Sequence, residues 1–321
     1  MKVLTTGGSG FAGKHVLRRL VKEGFDVINL VNKTYSEVEG VKEIKIESYE
    51  SGFFENILSG VDTVVHLAAA LGFKKENYEY FYKTNVVFPG NLASAAAKSG
   101  VRKFIYISSA GVYGKGSKIP ITEEFPPSPV DKYEKTKFMG EKEVLKLKDK
   151  LNVIIIRPGW IYGPGDRRTF KLYRAINSGK FFIAGKGDGK QSPIFVEDFV
   201  NSILLLLKKE GLSSGEIFNI AGEELITTER MVKIIADSLN KKILPFKIPL
   251  LPLIFISYIL DFISNISGIS FPLTRSSLVF FERSKPLSIE KAKSILGYTP
   301  LTTFEEGVKK AVNWYKTKGM L

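Results

Sequence analysis

Tyr133 and Lys137 stand four residues apart at the start of a helix-period segment, which puts both side chains on one face. Of the thirteen tyrosines only Tyr133 has a lysine at that spacing. A lysine-rich chain produces one such pair by chance, so its weight comes from its setting. The apolar run at 103–108 delivers Ser108 and Ser109 to the end of a strand, and the pair follows downstream. A phenol, with an ordinary pKa of roughly 10, is a poor base at neutral pH. A neighbouring ammonium favours the phenolate, and each tenfold gain in acidity is worth about 1.4 kcal/mol. Phenolate, ammonium and hydroxyl together suit one reaction: taking the proton of a secondary alcohol as its hydride leaves to a nicotinamide ring, whose positive charge favours the phenolate further. Ser109 would then hydrogen-bond the reacting oxygen and keep it within reach of Tyr133. The plainer alternative makes Ser108 and Ser109 turn residues and Tyr133 a surface aromatic.

That chemistry needs a dinucleotide, and the first fourteen residues offer a place for one. The β-branched run KVLTT at 2–6 is followed by Gly7, Gly8, Ser9 and Gly10, and a helical pattern then opens at Phe11 and runs to about Glu23. Gly7, Gly10 and Gly13, three apart, permit in turn a positive-φ bend, close approach of backbone N–H groups to a pyrophosphate, and close packing of helix on strand. The helix N-terminus, at Phe11 and Ala12, would face the anion. About twenty positions on lie Asn32 and Lys33, with no carboxylate to hold both ribose hydroxyls. An amide and an ammonium could tolerate a 2′-phosphate, which leans toward NADP, whereas a solvated turn is the bland alternative. The cofactor therefore reads as NAD or NADP. In DTVVHLAAA at 62–70, the small residues after Leu67, Ala68 and Ala69, let a cofactor lie against backbone. His66, inside that apolar run, reads as a packed core residue and not as a base.

The elements that must position these groups alternate. Strand-like runs at 27–31, 43–46, 63–67, 103–108 and 152–156 are mostly separated by helix-period segments. Such alternation means βαβ units and a parallel sheet covered on both faces. The expected fold is α/β: a doubly wound parallel Rossmann sheet with a smaller, mostly C-terminal α/β substrate lobe. Residues 1–165 form the dinucleotide-binding domain, with 194–222 returning to it. Residues 166–193 and 223–321 form the substrate lobe.

Composition is that of an ordinary globular protein, 44% hydrophobic and 25% charged. The formal charge of +14 could signal nucleic acid or an anionic membrane. Along 132–150, however, the lysines are interleaved with Glu134, Glu141, Glu143 and Asp149, which reads as a solvated helix face and not a basic stripe. With no cysteine there is no disulfide, thiolate nucleophile or zinc–sulfur site, and no metal is expected. The chain opens directly in a strand, without the leader of a secreted protein, so a cytoplasmic location is expected. The thirteen uncharged residues at 248–260 are too few to span a bilayer and read as a buried helix or pocket wall.

The chain resembles the extended short-chain dehydrogenase/reductases, the NAD-dependent epimerase/dehydratase and 3β-hydroxysteroid-dehydrogenase-like group, along nearly its whole length. The pieces that carry the resemblance are TGGSGFAG at 6–13, DTVVHLAA at 62–69, SSAGVYG at 108–114, YEKTK at 133–137, RPGWIYGPGD at 157–166, FVEDFV at 195–200, NIAG at 219–222 and KAKSILGYTP at 291–300. It implies Ser109, Tyr133 and Lys137 as a catalytic trio, with Lys137 also bonding the nicotinamide ribose. It implies Glu47 as an adenine-contacting acid, Asn85 at the head of a helix beside the cofactor, and Pro158 beside the nicotinamide. Ala110, Gly159 and Trp160 are expected to border the substrate, which the lobe after about Asp166 would select. Family members are often dimers packed through the helices that follow Asn85 and Tyr133, so a homodimer is a further expectation.

Two departures matter. Phe88-Pro89 places a proline where it would bend the helix after Asn85. The stretch GKQSPIF at 189–195 lacks the arginine with which nucleotide-sugar epimerases often hold a diphosphate, leaving Arg167, Arg168 and Arg275 as substitutes. The first functional expectation is a nucleotide-sugar epimerase or dehydratase. The second is a net dehydrogenase or reductase of an apolar hydroxyl or ketone, which the apolar stretch and PLTR at 272–275 favour. A third is a non-catalytic NAD(P)-sensing protein.

Overall fold

Short β-branched runs and longer helix-period segments alternate as the sequence pattern requires, in a computed structural model that describes residues 1–71, 77–117, 119–267, 271 and 273–321. The strands are β1 (Lys2–Thr6), β2 (Asp26–Val31), β3 (Val41–Lys45), β4 (Thr63–His66), β5 (Lys103–Ile107) and β6 (Asn152–Pro158), then the short β7 (Trp160–Tyr162), β8 (Ile183–Ala184), β9 (Lys190–Gln191) and β10 (Pro193–Phe195), followed by β11 (Glu216–Ile220), β12 (Ile226–Thr227) and β13 (Lys247–Ile248). The helices are α1 (Phe11–Lys22), α2 (Ser51–Ile57), α3 (Tyr78–Tyr82), α4 (Phe88–Lys98), α5 (Lys132–Leu145), α6 (Arg167–Asn177), α7 (Val196–Lys208), α8 (Thr228–Ser238), α9 (Leu250–Ser267), α10 (Arg275–Glu282) and α11 (Phe304–Thr317).

Seven strands form one parallel sheet in the order β11-β6-β5-β4-β1-β2-β3. Successive residues of each strand face opposite layers. Val3, Val27, Ile105 and Ile154 pack under α1 and α7, while Leu4, Ile28, Phe104 and Ile155 pack under α2, α4 and α5. The order reverses at β1, whose neighbours are β2 and β4, and this opens a crevice at the carboxyl ends of β1 and β4. A third cluster, including Tyr173, Met231, Ile235, Val308 and Tyr315, joins α6, α8 and α11. A fourth joins Ala184, Leu253 and Leu278.

Three expectations need correction. The proline after Asn85 stands not in a plain α-helix interior but directly after a π-helical turn at Lys83–Val87, in the first turn of α4, where the change of helical register takes up the missing N–H. The charged face of α5 is not all solvated. Glu134, Lys137 and Glu141 are buried at 2%, 1% and 1% exposure, because spacings of three and four bring them onto the one face that meets the sheet. The apolar stretch after residue 248 is not a buried helix either. It is α9, which buries Leu253 and Ser257 and leaves most of its apolar side chains in solvent. Pro272 of the PLTR motif lies outside the described residues.

The tightest backbone contact is at the glycine turn. Gly7 has φ +75°, and a Cβ on Gly13 would stand 2.1 Å from the carbonyl oxygen of Gly7 and 2.8 Å from Cα of Gly8. Backbone cannot step aside as a side-chain tip can. Gly13→Ala is therefore expected to destabilise the fold by about 1–3 kcal/mol, read by urea unfolding, and to weaken dinucleotide binding measured by calorimetry.

Candidate active site

The turn from β1 to α1 is built to hold an anion. Gly10 caps α1 with extended backbone and no side chain, and no acidic residue stands in the first turn, so the amides around Phe11 and Ala12 lack a side-chain cap. A Cβ at Gly10 would meet only the Gly7 carbonyl oxygen, at 3.2 Å, which leaves the space over the loop open. Across the crevice, Thr6 Oγ1 accepts from the Ala68 amide at 3.1 Å, and a Cβ at Gly7 would come within 2.7 Å of that amide nitrogen. Leu67, Ala68 and Ala69 are thus pinned along the loop as a narrow, half-buried wall. The cradle, the uncapped helix end and the small-residue wall fit a dinucleotide pyrophosphate.

Beside the carboxyl ends of β2 and β3, a cleft of about 390 Å³ is lined by Val31, Asn32, Lys33, Tyr35 and Lys45. Asn32 Nδ2 donates to Tyr49 Oη at 3.2 Å, and Lys33 and Glu47 are exposed at the same edge. Sequence reasoning missed Asn29, fully buried in β2. Its Oδ1 accepts from the Gly8 amide at 3.2 Å and Thr5 Oγ1 at 3.1 Å, and its Nδ2 donates to Glu43 at 3.0 Å, so it fixes the loop from below. An amide inside the apolar run DVINLV was the available signal.

The catalytic candidates do converge. Ser109 follows β5, and its Oγ accepts from the Gly111 amide at 2.9 Å. The same hydroxyl neighbours the half-buried Tyr133 phenol and acts to lower its pKa. Tyr133 lies in the first turn of α5, which Asp131 and Glu134 close with a reciprocal capping box. One turn on, Lys137 is buried, with Nζ donating to the Ile107 carbonyl at 2.6 Å and lying 4.1 Å from the centre of the Tyr106 ring. Burial pulls the Lys137 ammonium down to about 7, against the nearby Glu141 carboxylate that favours its charge.

Burial raises the Tyr133 pKa above its ordinary value, while the Ser109 hydrogen bond and the Arg168 charge pull the other way. To the ammonium and nicotinamide charges expected to favour the phenolate, the fold adds further side chains. Ser109 and Arg168 favour the phenolate, and Asp131 and Glu134 oppose it.

Below the trio runs a buried network that sequence reasoning did not assign. Arg157 at the end of β6 makes a two-pronged ion pair with Glu141, 3.0 and 2.7 Å, and donates to Tyr113 Oη at 3.0 Å. Tyr113 in turn donates to Asn219 Oδ1 at 2.8 Å. From the second lobe, Arg283 pairs with Glu134 and Lys285 Nζ reaches the same oxygen at 3.2 Å, next to Tyr133.

The other expected contacts divide. Asn85 sits inside the π-helical turn and not at a helix head. It is fully buried, with Oδ1 accepting from the Ala70 amide at 2.8 Å and Nδ2 donating to Ala70 O and Thr136 Oγ1, so it ties the cofactor wall to α5. His66 is buried, with Nδ1 3.0 Å from Thr6 Oγ1, and burial holds its pKa well below the usual value. Pro158 ends β6 opposite Ile220, and Gly159 follows with its amide on the Ile220 carbonyl at 2.8 Å. Ala110 begins the buried 3₁₀ turn after Ser109, and Trp160 meets Phe280 edge-to-face at 5.7 Å. Arg168 is held by Asp166 at 3.3 Å. Arg275 is engaged within the lobe, with its guanidinium on Glu282 at 2.7 Å and its amide on Asp261 at 3.0 Å.

The profile of the NAD dependent epimerase/dehydratase family matches residues 3–221, two-thirds of the chain. The chain belongs to that family. It is accordingly an NAD-dependent enzyme of the epimerase, dehydratase and dehydrogenase type. Sterol-4-alpha-carboxylate 3-dehydrogenase, decarboxylating, from Mus musculus is 29% identical, the match covering 97% of this chain and 90% of that protein. N-acetyl-alpha-D-glucosaminyl-diphospho-ditrans,octacis-undecaprenol 4-epimerase from Escherichia coli O157:H7 is 28% identical over 97% of this chain and 94% of its own. Among solved structures, UDP-glucose 4-epimerase from Thermotoga maritima with UDP-glucose superposes with a TM-score of 0.78 at 26% identity, covering 99% of both chains.

The buried lysine of this enzyme has a consequence for stability. Its folded pKa of about 7 lies below the ordinary 10.5, so between those values the unfolded chain binds more protons and stability rises with pH. Below the window the full cost of burying the charge is present. In Lys137→Met that cost is gone, and the stability of the variant relative to wild type should be greatest near pH 6.5 and shrink toward about pH 10. Urea unfolding across the range checks it, and a pH-independent difference would contradict it.

Proposed function

We propose that the enzyme moves hydride at a secondary carbinol of a diphosphate-linked sugar, as a nucleotide-sugar epimerase-type catalyst. The observation that carries this reading is the convergence of Ser109 at the sheet's carboxyl edge with Tyr133 in the first turn of α5 and Lys137 one turn along, whose Nζ donates to the Ile107 carbonyl at 2.6 Å. NAD, when bound, supplies the hydride acceptor and a positive charge beside the phenol. Ser109 Oγ holds the reacting oxygen, and Tyr133 Oη takes its proton as the carbinol becomes a carbonyl and returns it when the carbonyl is reduced. Lys137 favours the phenolate and anchors the nicotinamide ribose. Gly7, Gly10, Phe11, Ala12 and Gly13 cradle the pyrophosphate. Arg168, on the substrate side, suits an anionic substrate.

A second reading, net dehydrogenation of an apolar hydroxyl, is supported by the likeness to a sterol carboxylate dehydrogenase and by the aromatic contact between Trp160 and Phe280. The two differ in cofactor handling. An epimerase regenerates its NAD and retains it, whereas a net oxidoreductase exchanges it. Acid release of nucleotide from the purified protein is expected to yield stoichiometric NAD, and an empty site would favour the second reading. Tyr133→Phe is expected to lower turnover by a factor on the order of 10² to 10⁴ with NAD affinity nearly intact. Unchanged turnover would remove Tyr133 from the mechanism.

A homodimer packed through α4 and α5 belongs to the same proposal. A groove of about 340 Å³ lined by residues such as Val87, Asn91, Glu143 and Leu147 is the surface it would cover. Sedimentation velocity should show a dimer, and a monomer at all concentrations would remove it.

A further inference from the structure

Helix α9 presents a row of large apolar side chains to solvent. Leu251, Phe255, Tyr258, Ile259, Phe262 and Ile266 follow spacings of three and four along eighteen residues, which makes one continuous stripe. Leu251 is 81% exposed, Phe255 68% and Ile266 73%. Single exposed apolar residues are ordinary, but a helix-long row is not. The opposite face is held by the protein: Leu253 packs with Ala184 and Leu278, and Asp261 accepts the Arg275 amide at 3.0 Å. Among the described residues no helix is long and apolar enough to cross a membrane. A helix held along one side can lie on a bilayer without crossing it.

We propose that the exposed face of α9 docks the enzyme on the surface of an anionic lipid bilayer. The flanking charges choose the partner. Exposed Lys241, Lys242 and Phe246 lead into the stripe, past Lys247, which is paired with Glu229 at 2.6 Å; α9 carries a single ionisable carboxylate, and the chain as a whole has a formal charge of +14. Anionic headgroups beside an apolar interior complement that arrangement. A second copy does not, because its α9 would offer those lysines only Asp261, which the Arg275 amide already engages. The surface also borders the site: α10 packs on α9, its Phe280 meets Trp160, and Arg283 just beyond it pairs with Glu134 beside Tyr133. The docking face is independent of the Tyr133 chemistry, so failure of one leaves the other standing.

The test is flotation of the full-length protein with vesicles of phosphatidylcholine, with and without phosphatidylglycerol. The wild type is expected to float with the anionic vesicles and to be released by salt. Phe255→Glu and Phe262→Glu, both at exposed positions, should each lower the bound fraction by about tenfold or more, with unchanged unfolding midpoints. Phe255→Trp supplies a readout in the otherwise intact protein: its fluorescence should be quenched by lipids with brominated acyl chains. Folded wild type that floats with neither vesicle overturns the proposal. So does vesicle binding that leaves the fluorescence of the Phe255→Trp variant unquenched, or self-association that Phe255→Glu abolishes without any vesicle binding.

Discussion

The site depends on a charge kept where charges are expensive. Lys137 lies under the sheet edge at 1% exposure, and the Ile107 carbonyl and the Tyr106 ring are the groups its ammonium meets. An isolated buried ammonium tends to lose its proton, and burial does bring this one down to about 7. Glu141, one turn further along α5, opposes that loss and is itself compensated by Arg157. The polar face of α5 is thus a linked set of charges: removing either Glu141 or Arg157 strands the other's buried charge, which is far more damaging than never having had the pair. Such a set fixes the rotation of the helix, and rotation is what aims Tyr133.

The same logic sets the cofactor side, with backbone in place of charge. Asn29 holds the glycine turn from beneath, Thr6 links β1 to the wall at Ala68, and Asn85 joins that wall to Thr136 of α5. Each is a buried polar side chain with its hydrogen bonds satisfied inside the protein, so each orders a neighbouring segment at little cost in solvation. Through them buried hydrogen bonds run from the glycine turn and the 67–70 wall to helix α5.

How much of this the sequence discloses depends on the range over which each signal acts. The strands and the glycine turn are legible because their determinants are local: periodicity, β-branching and the absence of a Cβ. The β3 strand begins two residues before its sequence signal, because it is a half-exposed edge whose VKEIK alternates weakly. The trio is legible through one spacing and one strand end. Glu134 and Glu141 look solvated in the sequence because charge composition hides the fact that every third or fourth residue faces inward, and only their partners, Arg283 and Arg157, reveal it. Those partners lie 149 and 16 positions away. The exposure of α9 is illegible for a related reason, since a run of apolar residues shows what water rejects and not whether the fold supplies enough surface to cover it.

The family profile ends at residue 221, one residue after β11 closes the sheet. The chain beyond it rejoins the sheet at several places: Leu287, Ile289, Ala292, Leu296 and Tyr298 enter its core cluster, and Tyr298 Oη donates to the Ala221 carbonyl at 2.9 Å. Ser284 and Leu287 bridge Gly116 and Ile121, Leu287 donates its amide to Ser192, and Arg283 and Lys285 grip Glu134. Segment 283–287 therefore couples the lobe to the turn of α5 that carries Tyr133. That segment adds backbone bonds and ion pairs to the apolar contacts of Leu287 and Ile289. Helices α9 and α10 can then differ in surface while Tyr133 keeps its aim, as long as this strip of chain stays in register.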